Sequence, residues 1–149
     1  MVQEMNINLG CGRHRLEGYL NIDSKCDKDN NPDIIWNLER GLSIIPSNYA
    51  EAIWANMVLE HIVAYIDLMR EAHRVLKNGG KFSINVPDSN GSNAWGHPEH
   101  VRGFNMTSFR YFEKGTDEYK AYSPDFEFKT EKYETTGEVI SVILVAVKE

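Results

Sequence analysis

The sequence predicts an α/β fold with a mainly parallel sheet, and three observations lead to that prediction. Strand-like and helix-like segments alternate over residues 5–86. The clearest helical pattern lies between two apolar strand patterns, which is the order of a parallel crossover unit. Residues 127–148 instead form two strand patterns joined by a glycine turn, which indicates a terminal antiparallel hairpin.

Five strands are predicted before the hairpin, each from a short apolar or alternating segment. The first ends at Gly10 and the second ends on the carboxylate of Asp23. The second arm of the hairpin is rich in β-branched residues, which predicts an interior place in the sheet. The five strands cover residues 5–9, 19–23, 33–37, 51–56 and 81–86, and the hairpin arms cover 127–133 and 138–148 around a turn at 135–137.

One long helix is predicted after the fourth strand. Residues from Ile62 to Leu76 recur at i, i+3, i+4 and i+7, the pattern of a single buried helix face. Gly79 and Gly80 then offer the left-handed conformation that ends a helix. Residues 89–126 show weak periodicity, and a long irregular segment within a compact domain is more often functional than idle.

Length and composition restrict the kind of protein. The 149 residues fit one domain, 1–149, and no apolar run approaches the roughly 20 residues that span a bilayer. Residues 1–4 lack the start of a signal peptide, so a cytoplasmic protein without a membrane partner is expected. The net charge of −6, with scattered Lys and Arg, disfavours a nucleic-acid partner. Cys11 and Cys26 have no metal-ligand spacing around them and are interpreted as free thiols.

Four predicted strand ends carry residues suited to a ligand, because open parallel sheets bind ligands beyond the carboxyl ends of their strands. The turn Gly10-Cys11-Gly12 offers bare backbone N–H groups, although such turns also serve only as turns. Asp23 is placed to accept the hydroxyls of a ribose, or is a surface aspartate that ends a strand. Asn37 and Leu38 are placed for an adenine edge, and Asn56 is either a ligand contact or a helix N-cap.

In combination these segments resemble the class I S-adenosylmethionine-dependent methyltransferases, and most closely the small methyltransferase type 11-like group. The resemblance implies a Rossmann-like three-layer sandwich with a mostly parallel seven-stranded sheet and an antiparallel C-terminal strand. The segments that carry it are Asn8-Leu9-Gly10-Cys11-Gly12, Asn21-Ile22-Asp23, Val58-Leu59-Glu60-His61-Ile62, Arg74-Val75-Leu76-Lys77-Asn78-Gly79-Gly80-Lys81, and His97-Pro98-Glu99-His100-Val101-Arg102 with Ser108-Phe109-Arg110-Tyr111-Phe112.

The resemblance implies that S-adenosylmethionine is the cofactor and gives each matched position a role. The glycine turn would line the methionine portion, the second strand end would hold the ribose, the third would face the adenine, and the fourth would close over the methionyl end. The implied cofactor-binding residues are, in that order, Asn8, Gly10, Cys11 and Gly12; Asp23; Asn37 and Leu38; and Asn56.

The sequence departs from the family in two places. Asn8 stands where relatives often have an acidic residue. Only ten residues separate Gly12 from Asp23, against about 20 in a full dinucleotide unit, so the first helix must shrink to about one turn or vanish. The third glycine expected for a pyrophosphate is replaced by Arg15, which favours a cofactor without phosphates over a dinucleotide.

Three histidines are candidate general bases for an acceptor hydroxyl: His61, His97 and His100. Each also has a purely structural interpretation, strongest for His61 at the start of a helix. His97 and His100, spaced i, i+3 with Asp88 nearby, would suit a metal, but nothing else completes the ligand set and no metal is predicted. The aromatic residues of the same region shape an acceptor pocket or belong to the core; they are Trp95, Phe104, Tyr111 and Phe112.

The preferred hypothesis is methyl transfer to a small-molecule acceptor, such as a sugar or glycan precursor, at oxygen or nitrogen. The acceptor-side segment is placed at about 89–126. One alternative is an S-adenosylmethionine-binding protein without catalysis, suggested by the abbreviated cofactor side. The other is a small NAD-dependent reductase, which Arg15 weakens. Because little precedes the first strand to cover the site, a homodimer through residues 95–122 is a further hypothesis.

Overall fold

The computed structural model describes residues 5–149, and its centre is a seven-stranded sheet. Residues 1–4, on which the expectation of no signal peptide rests, lie outside the described residues. All the predicted strands are present, although several differ at their ends. The strands are β1 (Asn6–Leu9), β2 (Tyr19–Asp23), β3 (Ile34–Ile35), β4 (Ala50–Asn56), β5 (Leu76–Pro87), β6 (Glu127–Thr135) and β7 (Val139–Val147).

The strand order is β3-β2-β1-β4-β5-β7-β6, which is a Rossmann-like arrangement. Strands β1 to β5 pair in parallel, whereas β7 runs antiparallel to both β5 and β6. The prediction of a mostly parallel sheet with an antiparallel C-terminal strand is therefore confirmed. The apolar strand β7 lies between two neighbours, as its β-branched composition predicts, and β6 forms the edge.

The long predicted helix is present but shorter than its pattern. It is α1 (Tyr65–Val75), and its inner face is fully packed against the sheet. The predicted stop at Gly79 and Gly80 is wrong, because β5 begins at Leu76, immediately after α1, and both glycines lie within β5. Gly79 has φ of 80° where the β4–β5 register shifts, so it serves a bulge. The other helices are α2 (Asn93–Gly96), α3 (Met106–Arg110) and α4 (Asp117–Tyr122), and 3₁₀ turns lie at Leu38–Arg40 and Leu59–His61.

The connection between β1 and β2 has lost its helix, the more extreme of the two predicted outcomes. Residues 10–18 form turns only, and two buried asparagines hold them. Asn8 donates from its amide to the His14 carbonyl and to Asn21 Oδ1, both at 2.9 Å. Asn21 also bonds both the N–H and the carbonyl of Leu16. Side-chain amides thus satisfy backbone groups that a helix would have paired.

The chain packs around one buried apolar cluster that draws on all the strands except the short β3 and on α1. Cys11 is buried and Cys26 is exposed, and both are free thiols as expected. Within residues 5–149 no helix is long and apolar enough to cross a membrane. The strand ends beyond this core are where the ligand-binding groups meet.

Candidate active site

A cleft of about 220 Å³ lies at the carboxyl ends of β1, β2 and β4. It brings together four of the predicted cofactor-binding residues and one predicted catalytic residue. These are Gly10, Asp23, Asn37, Leu38 and His61. The cleft therefore lies where parallel strands of an open sheet expose their ends, as the sequence predicts.

Asp23 faces the glycine turn. Its Oδ2 accepts a hydrogen bond from the Gly12 N–H at 2.8 Å, and its Oδ1 accepts one from the Lys25 N–H at 3.0 Å. An ionised carboxylate offers about four lone-pair sites. Each oxygen therefore keeps acceptor capacity for a hydroxyl in the cleft, and the bond to Gly12 holds the carboxylate beside the turn.

The glycine turn is required by conformation and by packing. Gly10 and Gly12 have φ of 61° and 51°, in the left-handed region that favours glycine. A Cβ at Gly10 would lie 2.5 Å from Val58 Cγ2, whereas a Cβ at Gly12 would meet nothing within 4 Å. Gly10 therefore lets the turn approach the segment after β4, and Gly12 leaves open space beside Asp23.

The third strand end forms another part of the cleft. Leu38 is buried and presents an apolar surface, while Asn37 is exposed and accepts from the Glu39 N–H at 3.0 Å, which caps a 3₁₀ turn. Trp36, which the sequence reasoning missed, also lines the cleft, and its indole N–H donates to the Gly41 carbonyl at 2.8 Å. Its position next to Asn37 at a strand end is the signal that could have identified it.

The segment after β4 supplies the opposite lining. Met57, Val58 and Ile62 line the cleft together with His61, and the first three were also missed. Met57 has φ of 56°, a conformation that few non-glycine residues adopt and that is enriched at functional sites. No sequence pattern marks such a residue, because its strain comes from the tertiary packing.

Four predicted cofactor-binding residues are not among those that line the cleft: Gly12, which lies beside it through its bond to Asp23, and Asn8, Cys11 and Asn56. Asn8 is buried and its amide is occupied by the β1–β2 connection. Cys11 is buried, with its Sγ 3.9 Å from Asn30 Oδ1, and burial raises the pKa of its thiol. Asn56 is exposed and accepts from Asn85 Nδ2 at 3.1 Å instead of capping a helix. In this structure Asn8, Cys11 and Asn56 contact other groups of the protein, and their role toward the cofactor stays a prediction.

The three candidate catalytic histidines meet in space, although His61 is 36 residues before His97. The rings of His97 and His100 stack with centroids 4.4 Å apart, and the His61 ring lies edge-on to both at 5.3 and 4.8 Å. We call these three residues the histidine cluster. Since His61 lines the cleft, the histidine cluster borders it directly.

Three hydrogen bonds to backbone carbonyls hold the two segments of the histidine cluster together. The Val101 N–H donates to the Glu60 carbonyl at 2.9 Å, and Arg102 Nη2 donates to the carbonyls of Ile62 and Val63 at 2.7 and 3.0 Å. The segment 97–102 is therefore docked on the segment 60–63. Asp88 is not part of it, because Asp88 accepts from Thr135 Oγ1 and the Asn90 N–H instead.

Glu60 lies beneath the histidine cluster with a side chain only 1% exposed, and Oε1 is 3.7 Å from His61 Nε2. Burial raises the pKa of Glu60 to about 7. Burial, followed by the neighbouring His100 and His97 rings, lowers the pKa of His61. A buried carboxyl with a raised pKa beside an imidazole with a lowered pKa is typical of a functional site.

A second cleft of about 240 Å³ lies on the other side of the segment that follows His61. Ile62 lines the first cleft, while Tyr65 and Ile66 line the second. Four aromatic residues are proposed either for an acceptor pocket or for the core. Three of them line this cleft: Phe104, Tyr111 and Phe112. Its lining residues are Tyr65, Ile66, Arg102, Gly103, Phe104, Ser108, Tyr111, Phe112 and Tyr122. Trp95 is 64% exposed and does not line it.

Comparison with known protein families identifies a methyltransferase domain within the chain. Residues 17–84 match a family model described as a methyltransferase domain, a stretch that begins after the glycine turn and ends within β5. This match covers nearly half of the chain and agrees with its resemblance to the class I S-adenosylmethionine-dependent methyltransferases. No curated protein sequence matches the chain.

Solved methyltransferase structures share the fold. An S-adenosylmethionine-dependent methyltransferase from Archaeoglobus fulgidus aligns with a TM-score of 0.68 at 12% identity, over 95% of this chain and 86% of that one. The 1,6-didemethyltoxoflavin-N1-methyltransferase of Burkholderia thailandensis aligns at 0.67 and 13%, over 97% and 71%. A 16S rRNA (adenine(1408)-N(1))-methyltransferase from Catenulisporales acidiphilia aligns at 0.60 and 12%, over 98% and 86%.

The methyltransferase is therefore an enzyme that uses S-adenosylmethionine, and its cleft is suited to that cofactor. Asp23 retains acceptor sites for two hydroxyls, and Leu38 and Trp36 offer apolar surface. Residues 10–18 present no helix N-terminus for a pyrophosphate, and Arg15 is bound to Asp33 at 2.8 Å. The family match favours the methyltransferase over the reductase alternative and over binding without catalysis.

Proposed function

We propose that this methyltransferase transfers a methyl group to the oxygen or nitrogen of a small-molecule acceptor bound beside the histidine cluster. The observation that carries the proposal is the position of His61, which lines the cofactor cleft while its ring contacts His97 and His100. The acceptor-side segment thus reaches the cofactor cleft through an imidazole, a group able to take a proton.

The cofactor cleft would hold S-adenosylmethionine through residues whose geometry suits each part. The Asp23 carboxylate would accept hydrogen bonds from the ribose hydroxyls, and Leu38 and Trp36 would pack beside the adenine. When bound, S-adenosylmethionine supplies an activated methyl group, so the acceptor lone pair forms the new bond while the carbon–sulfur bond breaks toward sulfur. Gly10 and Gly12 shape the turn that lies beside Asp23, and these contacts would position the cofactor without activating it.

The histidine cluster would accept the proton that the acceptor loses. His61 stays neutral to a lower pH than an ordinary histidine, because burial lowers its pKa. A neutral imidazole is the form that accepts a proton. The second cleft, with its aromatic lining and Arg102, would hold the body of the acceptor. A sugar or another compact polar molecule with an apolar face fits that lining.

A small acceptor is preferred to RNA for two reasons. The chain carries a net charge of −6, whereas proteins that bind nucleic acid through its phosphates depend on basic patches. The second cleft is concave and about 240 Å³ in volume, a shape suited to a compact molecule. The toxoflavin enzyme and the rRNA enzyme show that related folds serve both acceptor classes.

The test is methyl transfer from labelled S-adenosylmethionine to separated small-molecule and RNA pools. We expect label in the small-molecule fraction, at the oxygen or nitrogen of one component, and none with the Asp23→Ala variant. Label recovered in RNA would contradict the proposed acceptor class. Absence of transfer to either pool, with cofactor binding intact, would instead favour the binding-protein alternative.

The homodimer hypothesis has its own support. Five of the eight exposed large apolar side chains found in residues 5–149 belong to the proposed region: Trp95, Val101, Met106, Tyr111 and Tyr122. Such a concentration is typical of an interaction surface. Light scattering at micromolar concentration should give twice the chain mass, and a monomer would contradict the hypothesis.

A further inference from the structure

We infer that the histidine cluster is a binding site for a divalent transition-metal ion of the zinc type. The three imidazoles offer nitrogen atoms that all lie within 4.8 Å of one another. Three histidines with an open fourth position form the ligand set of many catalytic zinc sites. The expectation from sequence, that no metal binds, lacked the third ligand, which is His61 and not Asp88.

The hydrogen bonds of the rings fit this role. His100 Nδ1 lies 3.1 Å from the Ala94 carbonyl, so that nitrogen carries the proton and Nε2 presents its lone pair. Metal-binding histidines commonly donate their second nitrogen to a carbonyl in this way. His97 accepts at Nδ1 from the Glu99 N–H, and this exposed ring would exchange that bond for the metal.

The imidazole nitrogens of the histidine cluster would have to move only slightly closer together to bind a metal ion. Zinc–nitrogen bonds of about 2.0–2.1 Å place ligand nitrogens about 3.4 Å apart in a tetrahedral site. In this structure the corresponding nitrogens lie within 4.8 Å of one another. His97 is exposed and lies on the turn after the four-residue helix α2, so it is the ring with the most room to move.

The second, independent observation is Glu60. Its carboxylate is almost completely buried, and within the described part of the chain neither oxygen has a hydrogen-bond partner. A buried carboxylate is costly unless it is paired with a cation. Its Oε1 points to His61, at 3.7 Å from Nε2, so a cation held by the three rings would supply the missing positive charge.

The ion would also refine the proposed function, and this part of the inference rests on that function. With their lone pairs on the ion, the three imidazoles would hold the metal instead of accepting the proton themselves, and the ion would activate the acceptor. An acceptor hydroxyl oxygen that takes the open position loses its proton to water more readily and keeps the electron pair that forms the bond to the methyl carbon. Because His61 lines the cofactor cleft, the activated oxygen would lie beside the transferred group.

The experiment measures metal binding directly. Protein without an affinity tag is treated with a chelator, dialysed, and titrated with ZnCl₂ in competition with a chromophoric chelator. We expect one bound zinc per chain. The His97→Gln and His100→Gln variants should each weaken binding by about 100-fold or more, and Glu60→Gln by about 10-fold to 100-fold. His14→Gln is the matched control, since His14 is exposed and outside the histidine cluster, and it should bind as tightly as wild type.

Cobalt gives a second readout of the same site. Co²⁺ should produce the intense visible absorption of a four-coordinate ion in wild type and in His14→Gln, but not in His97→Gln. Zinc bound at well below one equivalent, or wild-type affinity in both cluster variants, would overturn the inference. Thermal unfolding without ligand checks that the variants are folded.

These experiments distinguish a failure of the metal site from a failure of the proposed function. One tightly bound zinc with no methyl transfer to any small molecule would support the site and contradict the proposed function. Methyl transfer by chelated protein that also takes up no zinc in the titration would overturn the metal site and leave the proposed function standing.

Discussion

The proposed cofactor wall of the site comes from the ends of β1 to β4, whereas the proposed acceptor wall comes from turns and short helices between β5 and β6. On the cofactor wall, Asp23 and Gly12 are joined directly by a hydrogen bond between neighbouring strand ends. On the acceptor wall, His97 and His100 reach His61 only because residues 97–102 dock on residues 60–63.

Because the two walls are built differently, substitutions in them should affect different properties of the enzyme. The sheet sets the cofactor wall through backbone geometry, so a change there should alter cofactor affinity. Side-chain contacts between distant segments set the acceptor wall, so a change there should alter turnover and acceptor affinity while leaving cofactor affinity alone.

A large effect is expected on the cofactor wall. Asp23→Ala should weaken S-adenosylhomocysteine binding by about 100-fold, because it removes hydrogen bonds from a charged group to two hydroxyls. Isothermal titration calorimetry measures the change. Asp29→Ala, at an exposed aspartate, is the control and should bind normally. Full affinity in Asp23→Ala would show that the ribose is held elsewhere.

On the acceptor wall, His97→Gln should lower kcat by about 100-fold or more with an unchanged dissociation constant for S-adenosylhomocysteine. The reason is that His97 belongs to the histidine cluster but does not line the cofactor cleft. Steady-state kinetics and calorimetry on the same preparation separate the two quantities. Parallel loss of cofactor affinity would remove the distinction between the walls.

The sequence predicted the cofactor wall better, and the reason is physical. Strand ends of a parallel sheet meet at one edge, so Gly10 and Asp23 could be placed together from alternation and spacing alone. The contributions of Trp36 and Met57 depend on how the turns after β3 and β4 fold back. A local pattern carries no information on that.

The contacts of Asn8 could not be predicted from the sequence, although Asn8 belongs to a predicted cofactor-binding segment. Its place in the glycine turn suggested a ligand contact, but the missing helix left His14 and Leu16 carbonyls to be satisfied, and the Asn8–Asn21 pair meets that need. On the acceptor wall, the meeting of His61 with His97 could not be predicted, because no periodicity links residues 36 positions apart.

Stability should respond where cofactor binding does not. Asn8→Ala removes two hydrogen bonds of a buried amide and should cost about 2 kcal/mol, or about 4–8 °C in Tm. Its S-adenosylhomocysteine affinity should stay within about twofold of wild type, as Asn8 does not line the cleft. Thermal unfolding and calorimetry test both parts. If Asn8→Ala had normal stability but bound S-adenosylhomocysteine weakly, Asn8 would be a cofactor-binding residue after all.

A smaller effect is expected in the second cleft. Tyr111→Ala should raise the acceptor KM by about 10-fold, the loss expected for one partly buried ring, without changing cofactor affinity. Ile44→Ala, at an apolar side chain 41% exposed elsewhere on the surface, is the control for a general surface effect. An unchanged acceptor KM in Tyr111→Ala would place the acceptor outside the second cleft.

The smallest effect concerns acid stability of the cofactor wall. Arg15, followed by the Asn21 backbone N–H, lowers the pKa of Asp33 below 3.8. This ion pair therefore adds stability above the ordinary Asp pKa and loses it as the pH falls through the folded-state value. Asp33→Asn should cost less than about 1 kcal/mol at pH 7, because the pair is exposed, and less still near pH 3. Urea unfolding at the two pH values measures both; an equal cost would contradict the assignment.

The most direct test of the account is a crystal structure with S-adenosylhomocysteine. It should show both ribose hydroxyls within hydrogen-bond distance of the Asp23 carboxylate, the adenine beside Leu38 and Trp36, and the sulfur on the side of the cleft that faces His61. A nucleoside bound away from the Gly10–Asp23 cleft, or a sulfur that points away from the histidine cluster, would contradict it.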